Sequence, residues 1–228
     1  MLLFICASQA KELYVNFLWF ESVGFEGNFQ RVLLAKVLLF SSATLLTLIV
    51  LGFNIWLARR LAPKDIEESF IEEVDPEAIR RVVTVALAAL TIFLAIVFGS
   101  VAAGMWEVVL TWWNGAEFGL EDPAFNQDIS FYLFKLPAYH FFQGWILGLL
   151  MISVLGTGTV YALNYSLQRF ELNLSHGMKI HISILAGLIL LVIAFGTWLS
   201  IFDLATSPRG IVTGATFTDI HARLPARY

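Results

Sequence analysis

VVTVALAALTIFLAIVFGSVAAGMW, residues 82–106, carries no charged side chain between Arg81 and Glu107. A helix needs about 20 apolar residues to cross a bilayer, and an ionised side chain at the centre costs a few kcal/mol. The stretch therefore reads as a membrane-crossing helix. Its continuous apolarity, without alternation, favours helix over a lipid-facing barrel strand. Three further windows meet the same condition. One is VLLFSSATLLTLIVLGFNIWLA between Lys36 and Arg59, and another is ISILAGLILLVIAFGTWLSIF between His181 and Asp203. The third lies between Lys135 and Arg169, where His140 is the only titratable group besides tyrosines. The expected fold is all-α: a polytopic transmembrane helix bundle with about four spans, near 37–57, 82–106, 138–163 and 182–202, with the lipid bilayer as its first partner.

Composition points the same way. Of 228 residues, 58% are hydrophobic and 14% charged, and the mean hydropathy is +0.77; a water-soluble fold could not hide that much apolar surface. The net charge of -4 comes without a basic block, which leaves nucleic-acid binding no electrostatic footprint. Cys6 is the lone cysteine, so an internal disulfide and a CxxC metal or redox motif are excluded. There is no GxSxG, Walker loop or dinucleotide fingerprint, and no catalytic residue, cofactor or metal is expected.

Around the spans the chain is more polar. MLLFICASQAKELYVNFLWF is interrupted by Lys11 and Glu12, so residues 1–30 read as an apolar or interfacial segment, or as the tail of a span that begins upstream. Residues 31–204 form the transmembrane domain. Within the polar loop 58–81, DPEAIRR reads as a helix start with Asp75 as N-cap and Pro76 at the first helical position. Residues 205–228, punctuated by Pro208, Gly210 and Gly214, read as an extended segment leading to a downstream domain. Lys and Arg counts tie between the two faces: Arg59, Arg60, Lys64, Arg80, Arg81, Arg169 and Lys179 against Lys11, Arg31, Lys36, Lys135, Arg209, Arg223 and Arg227. Position breaks the tie, because the two Arg doublets abut span ends whereas residues 111–134 hold no Lys or Arg. Loops 58–81 and 164–181 are thus expected in the cytoplasm, and 111–135 and 204–228 outside.

EDPAFNQDISFYLFKLPAYHFF is the most unusual of these loops. Asp122, Asp128, Phe131 and Tyr132, with Asp219 from the last segment, form the candidate extracytoplasmic surface site. With Glu121 the carboxylates would suit a hard cation or a partner. Turn and capping chemistry explains both loop aspartates without a ligand, the rings suit an interfacial belt, and Pro137 would open the third span. His176 and His181 do not stack on one helical face as HExxH would, and His140 and His221 are isolated, so hydrogen bonding is expected of them rather than a metal centre. Gly144 and Gly148, and Gly99 with Ala103 beside Ser100 with Gly104, have small-xxx-small spacing that suits helix packing. No ionised residue is expected near a midplane; Lys36, Glu107 and Asp203 fall at span ends.

Three strings, YVNFLWFESVGF, DPAFNQDISFYLFKLP and SPRGIVTGATFTDIHARLPA, in that order between apolar spans, resemble the N-terminal membrane region of the bacterial UPF0182 family of uncharacterised multi-pass membrane proteins. The likeness runs from about Leu13 to Ala226. The family usually has Gly where this chain has Asn126, and Gly-Tyr where it has Thr216-Phe217. The resemblance implies a plasma-membrane protein whose N-terminal spans precede a much longer extracytoplasmic part, of which this chain would be the front. Two functions follow as expectations: an anchor or scaffold for a large extracytoplasmic domain or envelope partner, or a small-solute or ion transporter or channel lined by Ser41, Ser42, Thr44, Thr47, Asn54, Ser153, Thr157 and Thr159. A membrane-embedded enzyme ranks third.

Overall fold

Apolar runs too long to be strands fold here as helices. The computed structural model describes residues 2–62, 76–166, 175–206 and 214–223. Within them lie α1 (Leu2–Ser22), α2 (Glu26–Leu61), α3 (Pro76–Gly104), α4 (Trp106–Asn114), α5 (Leu136–Ser166) and α6 (His176–Phe202). Among the described residues four segments are long and apolar enough to cross a membrane: Glu26–Leu61, Arg81–Gly104, Phe131–Leu163 and His176–Thr206. The fold is an all-α bundle built on these four. Pro76 opens α3; Asp75, its expected cap, lies outside the described residues, as do Lys64, Arg169, Pro208 and Gly210.

Element boundaries depart from the sequence reading for local reasons. At 36 residues α2 is about 54 Å long, well beyond a bilayer's core of about 30 Å, and it begins at Glu26 rather than near 37. Lys36 consequently lies inside a helix, and its Nζ sits 5.4 Å from the centre of the Trp106 ring, a cation–π contact. Helix α3 stops at Gly104, because Met105 leaves helical geometry at φ -94, ψ 21, and α4 restarts with Glu107 in its first turn, where the helix dipole favours an acid. A π-helical turn, Phe131–Lys135, precedes α5. Pro137 has no N–H to return to the Leu133 carbonyl, and the turn before it widens so that the Leu136 N–H reaches the Phe131 carbonyl.

Between α2 and α3 the packing is made mostly by small and polar side chains. Helix α2 buries Ala43, Thr47, Leu51, Asn54 and Ala58, a stripe of period three to four. It packs most extensively on α3, and α5 contacts both α2 and α6. The α3 stripe is Thr91, Ala95, Gly99 and Ala102. Meanwhile Leu45, Ile49, Phe53, Ile92, Phe93, Leu155, Leu190 and Leu191 are exposed. Small and polar side chains at the α2–α3 contact, with large aliphatic ones facing outward, is the arrangement expected when the surroundings are as apolar as leucine.

Of the small residues, Gly99 makes the tightest approach. A Cβ there would meet the Phe40 carbonyl oxygen at 2.9 Å and a Phe40 ring carbon at 3.2 Å, besides colliding with the Thr44 hydroxyl. Gly144 has no neighbour within 4 Å, Gly148 only ordinary contact with the Phe98 ring, and Ala103 is half-buried.

Candidate functional site

Residues 115–130 connect α4 to the π turn and are folded by their own polar groups. Leu120 and Ile129, and Asp122 and Gln127, pair across a short bridge: the Ile129 N–H donates to the Leu120 carbonyl at 2.9 Å and the Asp122 N–H to the Gln127 carbonyl at 2.7 Å. The tip is a tight turn closed by the Asn126 N–H on the Asp122 carbonyl (2.8 Å), and Asn126 adopts a left-handed φ of 53. A side chain at such a φ is strained, and Asn tolerates it better than other non-glycine residues.

Both loop aspartates are occupied internally. Asp128 accepts from the backbone N–H groups of Phe118 (3.2 Å), Gly119 (2.7 Å) and Ser130 (2.8 Å). A hydrogen bond from the Ser130 side chain, with those N–H groups, pulls its carboxyl down to about 2 against a smaller cost of desolvation. Asp122 accepts the Phe125 N–H at 2.9 Å and the Tyr132 hydroxyl at 3.1 Å, which ties the loop to the root of the third span. Phe125 and Phe131 then both pack on Phe202 at the end of α6, with ring centroids 5.4 Å and 5.1 Å away. Asp122, Asp128, Phe131 and Tyr132 therefore belong to one clasp. Asp219 is 1% exposed rather than on the surface. It forms a capping box with Thr216: the Thr216 N–H and hydroxyl donate to Asp219 Oδ2 (3.1 and 2.7 Å), and the Asp219 N–H donates to Thr216 Oγ1 at 3.3 Å.

Two histidines have partners that the sequence did not reveal. His140 Nε2 lies 2.9 Å from Asp203 Oδ1, joining α5 to the end of α6 beside the clasp. At the opposite end of the bundle His181, 5% exposed, bridges three helices. Its Nδ1 is 2.9 Å from the Tyr161 hydroxyl on α5 and its Nε2 is 3.0 Å from Asn54 Oδ1 on α2. Nothing local in the sequence marks Tyr161, because its partner His181 lies on another helix. His176, which opens α6, and His221 are exposed. Among the described residues no three His, Cys, Asp or Glu side chains converge in a way that could hold a metal.

The polar residues proposed to line a pathway divide. Thr47, Asn54, Ser153 and Thr157 are buried, Thr44 is half-buried, and Ser41, Ser42 and Thr159 face outward. Thr47 and Ser153 donate to the carbonyls of Ala43 and Leu149 within their own helices, both at 2.8 Å. An apolar groove of about 350 Å³ runs between α3 and α5 past Phe98, Gly144, Trp145 and Gly148 to His140.

The profile of the Uncharacterised protein family (UPF0182) matches residues 1–228. The chain belongs to the UPF0182 family. Its relatives include UPF0182 proteins of Frankia casuarinae (35% identical, covering 94% of this chain and 22% of the relative), Nocardioides sp. (34%, 98% and 23%) and Cupriavidus necator (32%, 97% and 25%). This UPF0182 chain thus spans 22–25% of the length of these relatives. No solved structure matches it.

Proposed function

We propose that this region is a multi-pass plasma-membrane anchor whose clasp end is a docking platform for the extracytoplasmic remainder of the protein or for an envelope partner. The observation that carries this reading is the loop of residues 115–130. Asp122 and Asp128 are consumed in folding the loop, yet Phe118 and Leu120 stay exposed on it, with Trp113 exposed just before it and Phe217 in the C-terminal segment. Aromatic side chains held on a fixed backbone are the anchors that protein interfaces use, because little conformational entropy is lost on contact. Relatives four to five times as long leave ample polypeptide to supply the partner. The Arg doublets beside spans one and two support placing the opposite end in the cytoplasm.

The test uses the full-length protein with a protease site inserted after Tyr228 and an affinity tag on the membrane region. After cleavage in mild detergent the downstream part should remain with the tagged region, and Trp113→Ser, Phe118→Ser and Phe217→Ser together should release it. Release from the unsubstituted protein, or retention by the substituted one, refutes docking. A transporter or channel for a small solute or ion is the second reading, favoured by the inward placement of Thr47, Asn54, Ser153 and Thr157. Flux into proteoliposomes that survives apolar replacement of all four sinks it.

A further inference from the structure

Asn54, Tyr161 and His181 are the only buried side chains among the described residues that link three separate spans through side-chain hydrogen bonds to one another. The direction of each bond follows from what each atom can do. Asn54 Nδ2 donates to the Val50 carbonyl at 2.7 Å, so its Oδ1 is the atom turned to His181. An amide oxygen only accepts, so His181 Nε2 carries the hydrogen. In a neutral imidazole Nδ1 is then an acceptor, and the Tyr161 hydroxyl donates to it. The chain runs one way, from Tyr161 through His181 and Asn54 to the Val50 carbonyl, and every member is satisfied.

The chain is enclosed by close packing. Ala58, Ala62, Val160, Tyr161 and Met178 form one buried cluster, with Ile55, Leu61 and Leu87 packed on it. The Ser175 hydroxyl lies 3.5 Å from the Leu61 carbonyl, and a Cβ on Gly177 would meet Leu61 Cδ2 at 2.9 Å. Rotating α6 by one residue, about 100°, or sliding it by one turn would strip His181 of both partners and leave polar atoms of Asn54 and Tyr161 in apolar packing.

We propose that Asn54, Tyr161 and His181 are a register lock, a directional chain that only one rotation and axial offset of α2, α5 and α6 satisfies. The surrounding small and aliphatic residues supply close packing but no directional bonds. A buried polar network specifies one arrangement because every alternative strands its members, even where an apolar core of the same shape would be as stable. Single substitutions are therefore the damaging ones, and removing all three polar groups together restores stability but not uniqueness.

The experiment is performed on the full-length protein in bicelles, with spin-label pairs placed on a cysteine-free background at the exposed positions Leu46, Leu155 and Leu190 of α2, α5 and α6. The unsubstituted lock should give one narrow distance distribution for each pair. The triple variant Asn54→Leu, Tyr161→Phe, His181→Phe should unfold at a temperature near that of the unsubstituted protein and above that of His181→Phe alone, with broadened or multiple distances. If the triple variant does not insert, His181→Gln against His181→Leu decides. Gln carries a donor and an acceptor and should keep the narrow distances, while Leu should broaden them. Narrow, unchanged distances in the triple variant or in His181→Leu overturn the proposal, as does nitrogen NMR that finds the hydrogen on Nδ1.

Discussion

Replacing Gly99 with Ala is expected to loosen the α2–α3 pair, while the same replacement at Gly144 is expected to be harmless. At Gly99 the new Cβ would lie 2.9 Å from the Phe40 carbonyl oxygen, and a side-chain rotation cannot move a backbone atom. Restoring ordinary contact requires the helices to part by about 0.5 Å, a gap that forfeits roughly a quarter of the dispersion well of each atom pair it separates. Overpacking of this kind costs about 1–3 kcal/mol, offset by up to about 1 kcal/mol of better helix propensity for Ala. At Gly144 nothing lies within 4 Å, so only the propensity change remains. The two variants should differ by about 2 kcal/mol in the free energy of unfolding, measured by denaturant titration in mixed micelles. Adding Thr44→Ala to Gly99→Ala should recover part of the loss, because it removes the hydroxyl collision and leaves the carbonyl one. Equal stabilities for Gly99→Ala and Gly144→Ala would refute the reasoning.

Two further outcomes concern the clasp. Asp128 titrates at about 2 when folded against 3.8 for the free side chain, so its contribution to loop stability is complete above pH 4 and lost as the pH falls from about 4 through 2. Hydrogen exchange of the Gly119 and Ser130 amides should accelerate across that window beyond the intrinsic pH trend, and Asp128→Asn, which presents a donor to one of those N–H groups, should show weak protection at every pH. Asn126→Gly should raise stability by a few tenths of a kcal/mol and Asn126→Val lower it by about 1–2 kcal/mol, because only the glycine enters the left-handed region without strain; thermal unfolding of the two variants checks the order.

Charge spacing located the four long helices because insertion free energy is summed residue by residue along the chain, a quantity fully present in the sequence. Helix ends depend on local events. The break at Met105 and the π turn before Pro137 come from single residues embedded in apolar runs, and no period marks them. Gly99 and Gly144 read alike as small-xxx-small positions, since spacing states which face is small but not which helix lies opposite. The clasp was half legible: turn chemistry around Asp122 and Asp128 is local and readable, whereas the docking of Phe125 and Phe131 on Phe202 requires the third dimension. The charge spacing places His181 just ahead of the fourth span. A helix that begins at His176 carries it inside, where Asn54, distant in the chain, becomes its partner.

The two ends of the bundle are joined by different physics, and the difference bears on which end meets a partner. At the Asn54–Tyr161–His181 end the polar groups are buried and mutually satisfied, and Ala58, Ala62 and Met178 close around them, so that end offers its chemistry inward. At the clasp end the bonds are made within a loop and to the root of α5, and the helices meet through rings and the half-exposed His140–Asp203 pair. Rings meeting at angles and at centroid separations above 5 Å leave edges available, and Trp113, Phe118 and Phe217 are more than half exposed there. An exposed apolar surface of this kind gains by being covered, at about 25 cal/mol for each Å² removed from water. Burial of exposed aromatic surface is thus the contribution to association that the proposed docking at this end rests on, because Asp122 and Asp128 are already engaged within the loop.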